Sequence, residues 1–260
     1  MAHNEIKEDQ GEPSSSGPAD IQLPFRSLSR FNASPIINIE VSLSPSTHCF
    51  TRSSAPIVYL RLTLLPNPSS PSPLEAITLY TENSPLDLQR TLSRAGFTIT
   101  DLTTQQPLKV TNVRNAQRMP YPSRRVRGSF EEPYFLTIHS GETVELPLEF
   151  VRRNFRPQPW SIVKIGHELD EAGNPRNIRR SASVTGVDGL EPGHEYEISL
   201  NAEDLGGIMW APVAKEDILF EKGYKGPGAG LMDYPWIRDQ PLEFHVGTAK
   251  LKVLEKEEDT

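Results

Sequence analysis

Alternation of apolar and polar residues is the main pattern along this chain. Apolar side chains occupy every second position from Ile37 to Leu43 and again from Val58 to Leu64. Successive side chains of a β-strand point to opposite faces, so each segment predicts a strand with one buried face. Further short runs predict strands at 76–81, 97–102, 107–113, 134–139, 143–150, 160–165, 181–187, 195–200 and 242–254.

The spacing of these strands predicts the fold class. The 24 prolines and 17 glycines break the chain into short segments, and no long segment has the apolar period of an α-helix. We therefore expect an all-β protein, an antiparallel immunoglobulin-like β-sandwich with long loops. Only two short helical segments are predicted, one at 84–92 with Ser84 as N-cap and Pro85 at the first position, and one turn at 214–219.

Composition divides the chain into three parts. Residues 1–32 are polar and rich in Ser, Pro and Gly, and we expect a disordered N-terminal arm. Residues 33–254 carry the sandwich, with an aromatic- and glycine-rich insertion at 201–241, and 255–260 form a charged tail. A length of 260 residues fits one elaborated sandwich or two small domains, and both alternatives stay open.

One segment resembles a known turn of β-sandwiches. Residues 189–200 read Gly-Leu-Glu-Pro-Gly-His-Glu-Tyr-Glu-Ile-Ser-Leu, similar to the L-x-P-G-x-x-Y pattern of fibronectin type III and related immunoglobulin-like domains. The resemblance implies that Leu190 plugs one end of the sandwich and that the hydroxyl of Tyr196 bonds to the preceding backbone as a tyrosine corner. In a second turn, Gly141 is placed where the chain can adopt a positive φ.

A broader resemblance covers roughly residues 75–200. The order of the segments at 81–87, 97–101 and 134–142 and of the Tyr196 turn is similar to the β-sandwich domain that precedes the catalytic domain of fungal deuterolysin-type metallopeptidases. It is also similar to stand-alone fungal proteins built on that sandwich. The matching residues are mostly of turn and core types, which carry no information on function.

The zinc motif of such peptidases is incomplete in this chain. That motif, H-E-x-x-H, needs two histidines on one face of a helix. The segment 167–171 starts with His167 and Glu168 but has Glu171 in place of the second histidine, and Gly173 follows it closely. We expect an acidic loop here, with no metal and no cofactor.

Charge and leader sequences limit the partners. A net charge of -7 and a pI near 5.5 argue against attraction of the whole protein to nucleic acid or to an anionic membrane. The sequence starts without the basic and apolar regions of a signal peptide and has no apolar run long enough to span a membrane. With Cys49 as the single cysteine, we expect a cytoplasmic protein, with the nucleus as an alternative.

Two segments contain candidate binding residues. The first is an arginine-rich segment with one aromatic residue, which fits a phosphate or a single nucleic-acid strand; it contains Arg114, Arg118, Tyr121, Arg124, Arg125 and Arg127. Its alternative is a loop whose arginines pair with neighbouring carboxylates. The second candidate is the aromatic group of Trp210, Tyr234 and Trp236. If exposed, these side chains form a contact surface, and if buried they close the second sheet.

No catalytic residue is assigned from the sequence. Cys49 and His48 are adjacent, and neighbours in a strand point to opposite faces. Our first hypothesis is a non-catalytic binding or interaction protein with an unidentified protein or small-molecule ligand. One alternative is a small-molecule metabolic enzyme, for example a fungal tailoring enzyme, with a sandwich pocket and His167 or Asp170 as acid or base. Another is anion or nucleic-acid binding through Arg114–Arg127.

Overall fold

The computed structural model describes residues 34–50, 55–66, 74–112, 123–151 and 184–255, and the backbone of two strands at 164–169 and 175–180. The described residues form β-strands and short 3₁₀ helices, with no α-helix among them. The protein is therefore all-β, as the alternation predicts. The expected N-terminal arm, and the tail beyond Glu255, lie outside the described residues.

The strands follow one another along the chain. They are β1 (Ile36–Ser44), β2 (Thr47–His48), β3 (Ile57–Leu65), β4 (Ala76–Tyr80), β5 (Phe97–Asp101), β6 (Gln106–Pro107), β7 (Phe135–His139), β8 (Thr143–Glu149), β9 (Lys164–Leu169), β10 (Pro175–Arg180), β11 (Glu195–Leu200), β12 (Met209–Ala211), β13 (Glu243–Val246) and β14 (Thr248–Val253). Short 3₁₀ helices span Thr91–Ser93, Glu132–Tyr134, Ala202–Leu205, Lys215–Asp217 and Leu231–Asp233.

Two sheets share the main core. One has the order β13-β1-β3-β8 and the other β2-β14-β11-β5-β6. The alternating apolar residues of β1 and β3, such as Ile39 and Leu60, are fully buried, and they belong to one apolar cluster with Ile198 of β11 and Leu251 of β14. The alternation in the sequence thus identifies the buried face of each strand.

Both sheets are mixed, so the prediction of purely antiparallel sheets is wrong. β1 pairs with β13 in parallel, and β14 pairs with β2 in parallel. The predicted single strand at 242–254 is in fact two strands that join different sheets, separated by Gly247. The Gly247 backbone N–H donates to the carbonyl of Ile39 at 2.8 Å, which ties the chain to β1 where it passes from one sheet to the other.

A smaller sheet carries a second apolar cluster. Its order is β12-β4-β7, and a separate hairpin consists of β9 and β10. The second cluster is mostly aromatic and contains Tyr80, Tyr134, Phe135, Ala211, Ile218, Leu219, Leu231, Tyr234 and Trp236. Most of these residues come from within 201–241, so that segment covers the small sheet with side chains of its own.

Three other predictions of local structure need correction. Of the expected strand at 107–113, the described residues 107–112 form the end of β6 and two isolated bridges, and of the expected strand at 181–187, the described residues 184–187 form two bridges. In the predicted helix at 84–92, residues 84–90 form turns, and only 91 and 92 are helical, in the 3₁₀ helix Thr91–Ser93. Leu86 and Asp87, which follow each other in this segment, are both buried. Ser84 Oγ accepts the Leu86 N–H at 3.1 Å, as an N-cap would. The predicted turn at 214–219 is confirmed as a 3₁₀ helix.

Candidate functional site

Pairing between β4 and β7 brings two loops together at one end of the small sheet. Tyr80, the last residue of β4, pairs with Phe135, the first residue of β7. The pairing continues beyond the strands, since the backbone N–H and the hydroxyl of Thr81 both donate to the Tyr134 carbonyl, at 2.8 and 3.1 Å. The loop at 81–90 therefore lies beside the loop at 128–134.

The first loop folds around a buried carboxylate. Asp87 is only 2% exposed, and its Oδ2 accepts the backbone N–H of Asn83 at 3.2 Å. Ser84 closes the loop because its hydroxyl donates to the Thr81 carbonyl at 2.7 Å. The other carboxylate oxygen of Asp87, Oδ1, is buried and has no hydrogen-bond partner among the described residues.

Three aromatic rings line the junction of the two loops. The ring of Tyr134 makes edge contacts with Tyr80 and Phe130, at centroid distances of 6.2 and 5.9 Å. Tyr80 donates its hydroxyl to Glu82 at 2.7 Å, whereas the buried hydroxyl of Tyr134 is unpartnered within the described part of the chain. Phe130 is 60% exposed, so the ring stack ends at the surface.

Arginine side chains balance part of the acidic charge. The guanidinium of Arg90 lies 3.8 Å from a Glu82 carboxylate oxygen and 4.0 Å from Asp87, and it donates a hydrogen bond to Asn83 at 3.1 Å. Arg94 also donates to Asn83. We call Tyr80, Glu82, Asp87, Arg90, Phe130 and Tyr134 the Asp87 cluster.

The pKa values of both tyrosines in the cluster are raised. Burial raises the pKa of Tyr134, and the charges of Asp87, Glu82 and Glu131 raise it further. Burial and the Glu82 hydrogen bond raise the pKa of Tyr80 in the same way. Both hydroxyls therefore keep their protons at neutral pH, and the hydroxyl of Tyr134 remains available as a donor.

The tyrosine-corner segment occupies the end of the large second sheet. The hydroxyl of Tyr196 accepts the backbone N–H of Glu191 at 2.7 Å, and Leu190 is 4% exposed within the main core. Beside it, His194 Nδ1 lies 2.8 Å from the buried carboxylate of Asp101. The contact between His194 and Asp101 links the turn to β5, and the Tyr196 hydroxyl binds the backbone of the turn.

Asp101 is held in its ionised form by these contacts. Burial acts to raise its pKa, but hydrogen bonds from His194 and from Thr103 and Thr104 outweigh burial, and the pKa lies below the ordinary value. Each of these hydrogen bonds favours the charged carboxylate.

The side chain of Arg125, which the sequence analysis names as a candidate binding residue, is buried. It is 5% exposed, and its guanidinium donates to the backbone carbonyls of Ile218, Gly228 and Gly230. It also lies over the rings of Phe220 and Tyr234, at 5.2 and 4.9 Å. Desolvation lowers its pKa. Each nitrogen of the guanidinium thus donates to a backbone carbonyl of the same chain, and the side chain is buried.

The remaining arginines of that segment are placed differently. Arg124 is half-buried, and its backbone bridges Gly230. Arg127 lies 3.6 Å from Glu221, as expected if these arginines pair with neighbouring carboxylates. Arg114 and Arg118 lie outside the described residues.

The aromatic group is core, not surface. Trp210 is fully buried and donates its indole N–H to the Gln240 carbonyl at 2.9 Å. Trp236 and Tyr234 are each 9% exposed, and the indole of Trp236 donates to the Leu231 carbonyl at 2.7 Å. Burial raises the pKa of Tyr234 to about 12. Trp210 therefore belongs to the main core, and Tyr234 and Trp236 belong to the second cluster, so all three side chains are buried as the second alternative expects.

The residues of the enzyme alternative are only partly described. His167 and Glu168 lie in β9, paired with Asn177 and Arg176 in a hairpin, so the expected loop there is a strand. Asp170 is outside the described residues. A small cavity of about 10 Å³ is lined mainly by apolar residues, with no acid or base among the described residues around it; the lining includes Thr91, Leu92, Phe97, Ile99, Val110 and Phe150.

Sequence reasoning missed the Asp87 cluster. From the sequence, a short helix is predicted at 84–92, the segment 81–87 enters only the family resemblance, and neither Asp87 nor Phe130 is named as a candidate site residue. The signal needed was the pairing of β4 with β7, which brings residues about fifty positions apart into one site.

Comparisons with protein-family models, with curated proteins and with solved structures found no match to this chain. The resemblance to the deuterolysin-type sandwich therefore rests on the quoted residues alone. Within the described residues, no three His, Cys, Asp or Glu side chains are grouped so as to hold a metal ion. The same part of the chain contains no helix with the length and apolarity needed to cross a membrane.

Proposed function

We propose that this protein is a non-catalytic binding or interaction protein on an immunoglobulin-like β-sandwich scaffold, and that the Asp87 cluster is its contact site. One observation supports the proposal above all. Next to the exposed ring of Phe130, the Tyr134 hydroxyl and Asp87 Oδ1 are buried and lack partners in the described residues.

The energetic cost of such groups is the reason for this choice. A buried polar group without a hydrogen bond costs about 1–3 kcal/mol. Proteins keep few of them, and each needs a reason. Two unpaired groups beside an exposed aromatic ring fit a surface that is completed by another molecule, because a partner supplies the hydrogen bonds and covers the ring.

The scaffold supports the proposal in a second way. Two sheets pack on one core, and the Tyr196 turn fixes one end of the second sheet through its bond to Glu191. Loops held by such a rigid framework are common binding sites. The loops at 81–90 and 128–134 emerge from paired strands, so their relative position is set by the small sheet.

Affinity capture with the full-length chain tests the proposal. Immobilised wild-type protein and the Phe130→Ser variant are incubated with lysate of the native cells, and retained proteins are quantified by mass spectrometry. Phe50→Ser is the matched control, because Phe50 is also exposed (46%) but is not part of the Asp87 cluster. We expect partners that wild type and Phe50→Ser retain and Phe130→Ser loses. Equal retention by all three proteins contradicts the contact site.

A further inference from the structure

We propose that the Asp87 cluster recognises a cationic side chain, arginine or lysine, in a basic segment of a partner protein. This inference rests on the proposed function and specifies the chemistry of the partner. It follows from the hydrogen-bonding capacity, charge and ring geometry of the cluster.

The unpaired atoms require a donor from outside. A carboxylate oxygen can only accept a hydrogen bond, so Asp87 Oδ1 must be met by an N–H or O–H group. A series of contacts places the two unpaired atoms in one cluster. The ring of Tyr134 meets that of Tyr80, and Tyr80 donates to Glu82. Arg90 lies 3.8 Å from Glu82 and 4.0 Å from Asp87. An ammonium or guanidinium group offers several N–H donors to such a neighbourhood.

The charge of the site selects a cation over an anion. Glu82, Asp87 and Glu131 all act on the hydroxyl of Tyr134. Arg90 stands 3.8 Å or more from the carboxylate oxygens, within ion-pair range but beyond hydrogen-bond range. Glu82 Oε2 accepts the Tyr80 hydroxyl and Asp87 Oδ2 accepts the Asn83 N–H, so of the two Asp87 oxygens only Oδ1 lacks a partner in the described residues. An anionic ligand would meet like charges here.

The aromatic rings favour the same ligand class. Tyr80, Tyr134 and Phe130 form a continuous line of edge contacts from the interior to the surface. Cations bind to such ring faces within about 6 Å of the centroid. Elsewhere in this fold Arg125 is bound in that manner, since its guanidinium lies over two rings while its N–H groups meet carbonyls.

The exposed part of the cluster points to a peptide as the carrier of the cation. Phe130 is 60% exposed, whereas Asp87 and Tyr134 are each 2% exposed. A free amine fills only the acidic part of the site, whereas a peptide chain also covers the ring. We therefore expect a basic peptide to bind more tightly than a small polyamine.

Fluorescence anisotropy with defined peptides tests the inference. The full-length protein is titrated into a labelled peptide of alternating glycine and arginine, its lysine analogue and its glutamate analogue, with unlabelled spermidine as competitor. Asp87 is buried and its replacement endangers the fold, so the variants are Tyr134→Phe and Glu131→Gln, with Glu142→Gln as control. Glu142 is an exposed carboxylate in the turn between β7 and β8.

The expected outcome is selective. The arginine and lysine peptides bind and the glutamate peptide does not, and Tyr134→Phe and Glu131→Gln each weaken binding about fivefold while Glu142→Gln has no effect. Equal affinity in all variants overturns the inference, as does spermidine binding as tightly as the peptides. If the peptides fail to bind while capture still depends on Phe130, the proposed contact site survives and its cationic ligand does not.

Discussion

The hydroxyl of Tyr196 lies 2.7 Å from the backbone nitrogen of Glu191 and accepts its hydrogen bond. Tyr134 is buried to a similar degree, yet in the described part of the chain its hydroxyl has no partner. Two buried tyrosines of one protein thus differ in the satisfaction of a single polar atom. Removing that atom from each tests the difference directly.

Replacement of each tyrosine by phenylalanine should change stability in opposite ways. Tyr196→Phe removes the hydroxyl that accepts the Glu191 N–H, and we expect it to lower the free energy of unfolding by about 1–3 kcal/mol. Tyr134→Phe removes an unpaired group, and we expect no loss, or a gain of up to about 1 kcal/mol. Urea denaturation followed by fluorescence measures both. A loss above 1 kcal/mol in Tyr134→Phe would mean that its hydroxyl is satisfied in the free protein.

The pair of Asp101 and His194 should make stability depend on acid pH. The folded-state pKa of Asp101 lies below its ordinary value of 3.8. As the pH falls, the unfolded chain therefore protonates Asp101 before the folded chain does. The contribution of Asp101 to the free energy of unfolding is full above the unfolded pKa, and it is lost as the pH falls through the folded pKa. We expect Asp101→Asn to lower stability by about 2 kcal/mol near neutral pH. That deficit should shrink below pH 3.8, and a deficit constant down to pH 2.5 would contradict the assignment.

Two glycines with positive φ should differ in their tolerance of a methyl group. Gly186 has a φ of +57°, and a Cβ there would lie 2.6 Å from the Val151 carbonyl oxygen. Gly141 has a φ of +78° with open space around it. Gly141→Ala meets only the conformational cost of about 1–2 kcal/mol, and Gly186→Ala adds a steric overlap of similar size. Thermal unfolding of the two variants should show the larger loss in Gly186→Ala, and equal losses would refute the close packing.

Replacement of Arg125 should lower the free energy of unfolding. Arg125→Met removes the side-chain donor of the Ile218 and Gly228 carbonyls and one of two donors of the Gly230 carbonyl, and we expect a loss of about 3 kcal/mol or more. Arg125→Lys should not restore it, because one ammonium group cannot reproduce the planar fork of donors. Arg124→Ala, at a half-buried neighbour, serves as control and should cost less than about 1 kcal/mol. Chemical denaturation separates these outcomes. Wild-type stability in Arg125→Lys would show that the fork is not needed.

Strands with one buried face could be predicted from the sequence, because burial alternates with the period of the strand. β1, β3 and β11 are the best cases, and the glycine at 141 has the expected positive φ. The division at Gly247 could not be predicted, since residues 242–254 alternate on both sides of it while the sheet that they join changes. Sheet membership depends on contacts with distant strands.

The candidate site was also hidden by distance along the chain. The sequence shows that aromatic residues are concentrated near Trp210 and Trp236. Whether their side chains are buried or exposed depends on packing against strands that are distant along the chain. Asp87 and Tyr134 have no local motif in common. Only the pairing of Tyr80 with Phe135 brings them together. Composition therefore located aromatic residues, and tertiary pairing located the site.

Mapping the bound peptide by nuclear magnetic resonance tests the central claim most directly. ¹⁵N-labelled full-length protein is titrated with the glycine-arginine peptide, and backbone amide shifts are followed. The account predicts concentration-dependent shifts confined to residues around Glu82–Arg90 and Phe130–Tyr134, which in Glu131→Gln need an about fivefold higher peptide concentration. Shifts centred on another surface, or no shifts at peptide concentrations that saturate the anisotropy signal, would contradict it.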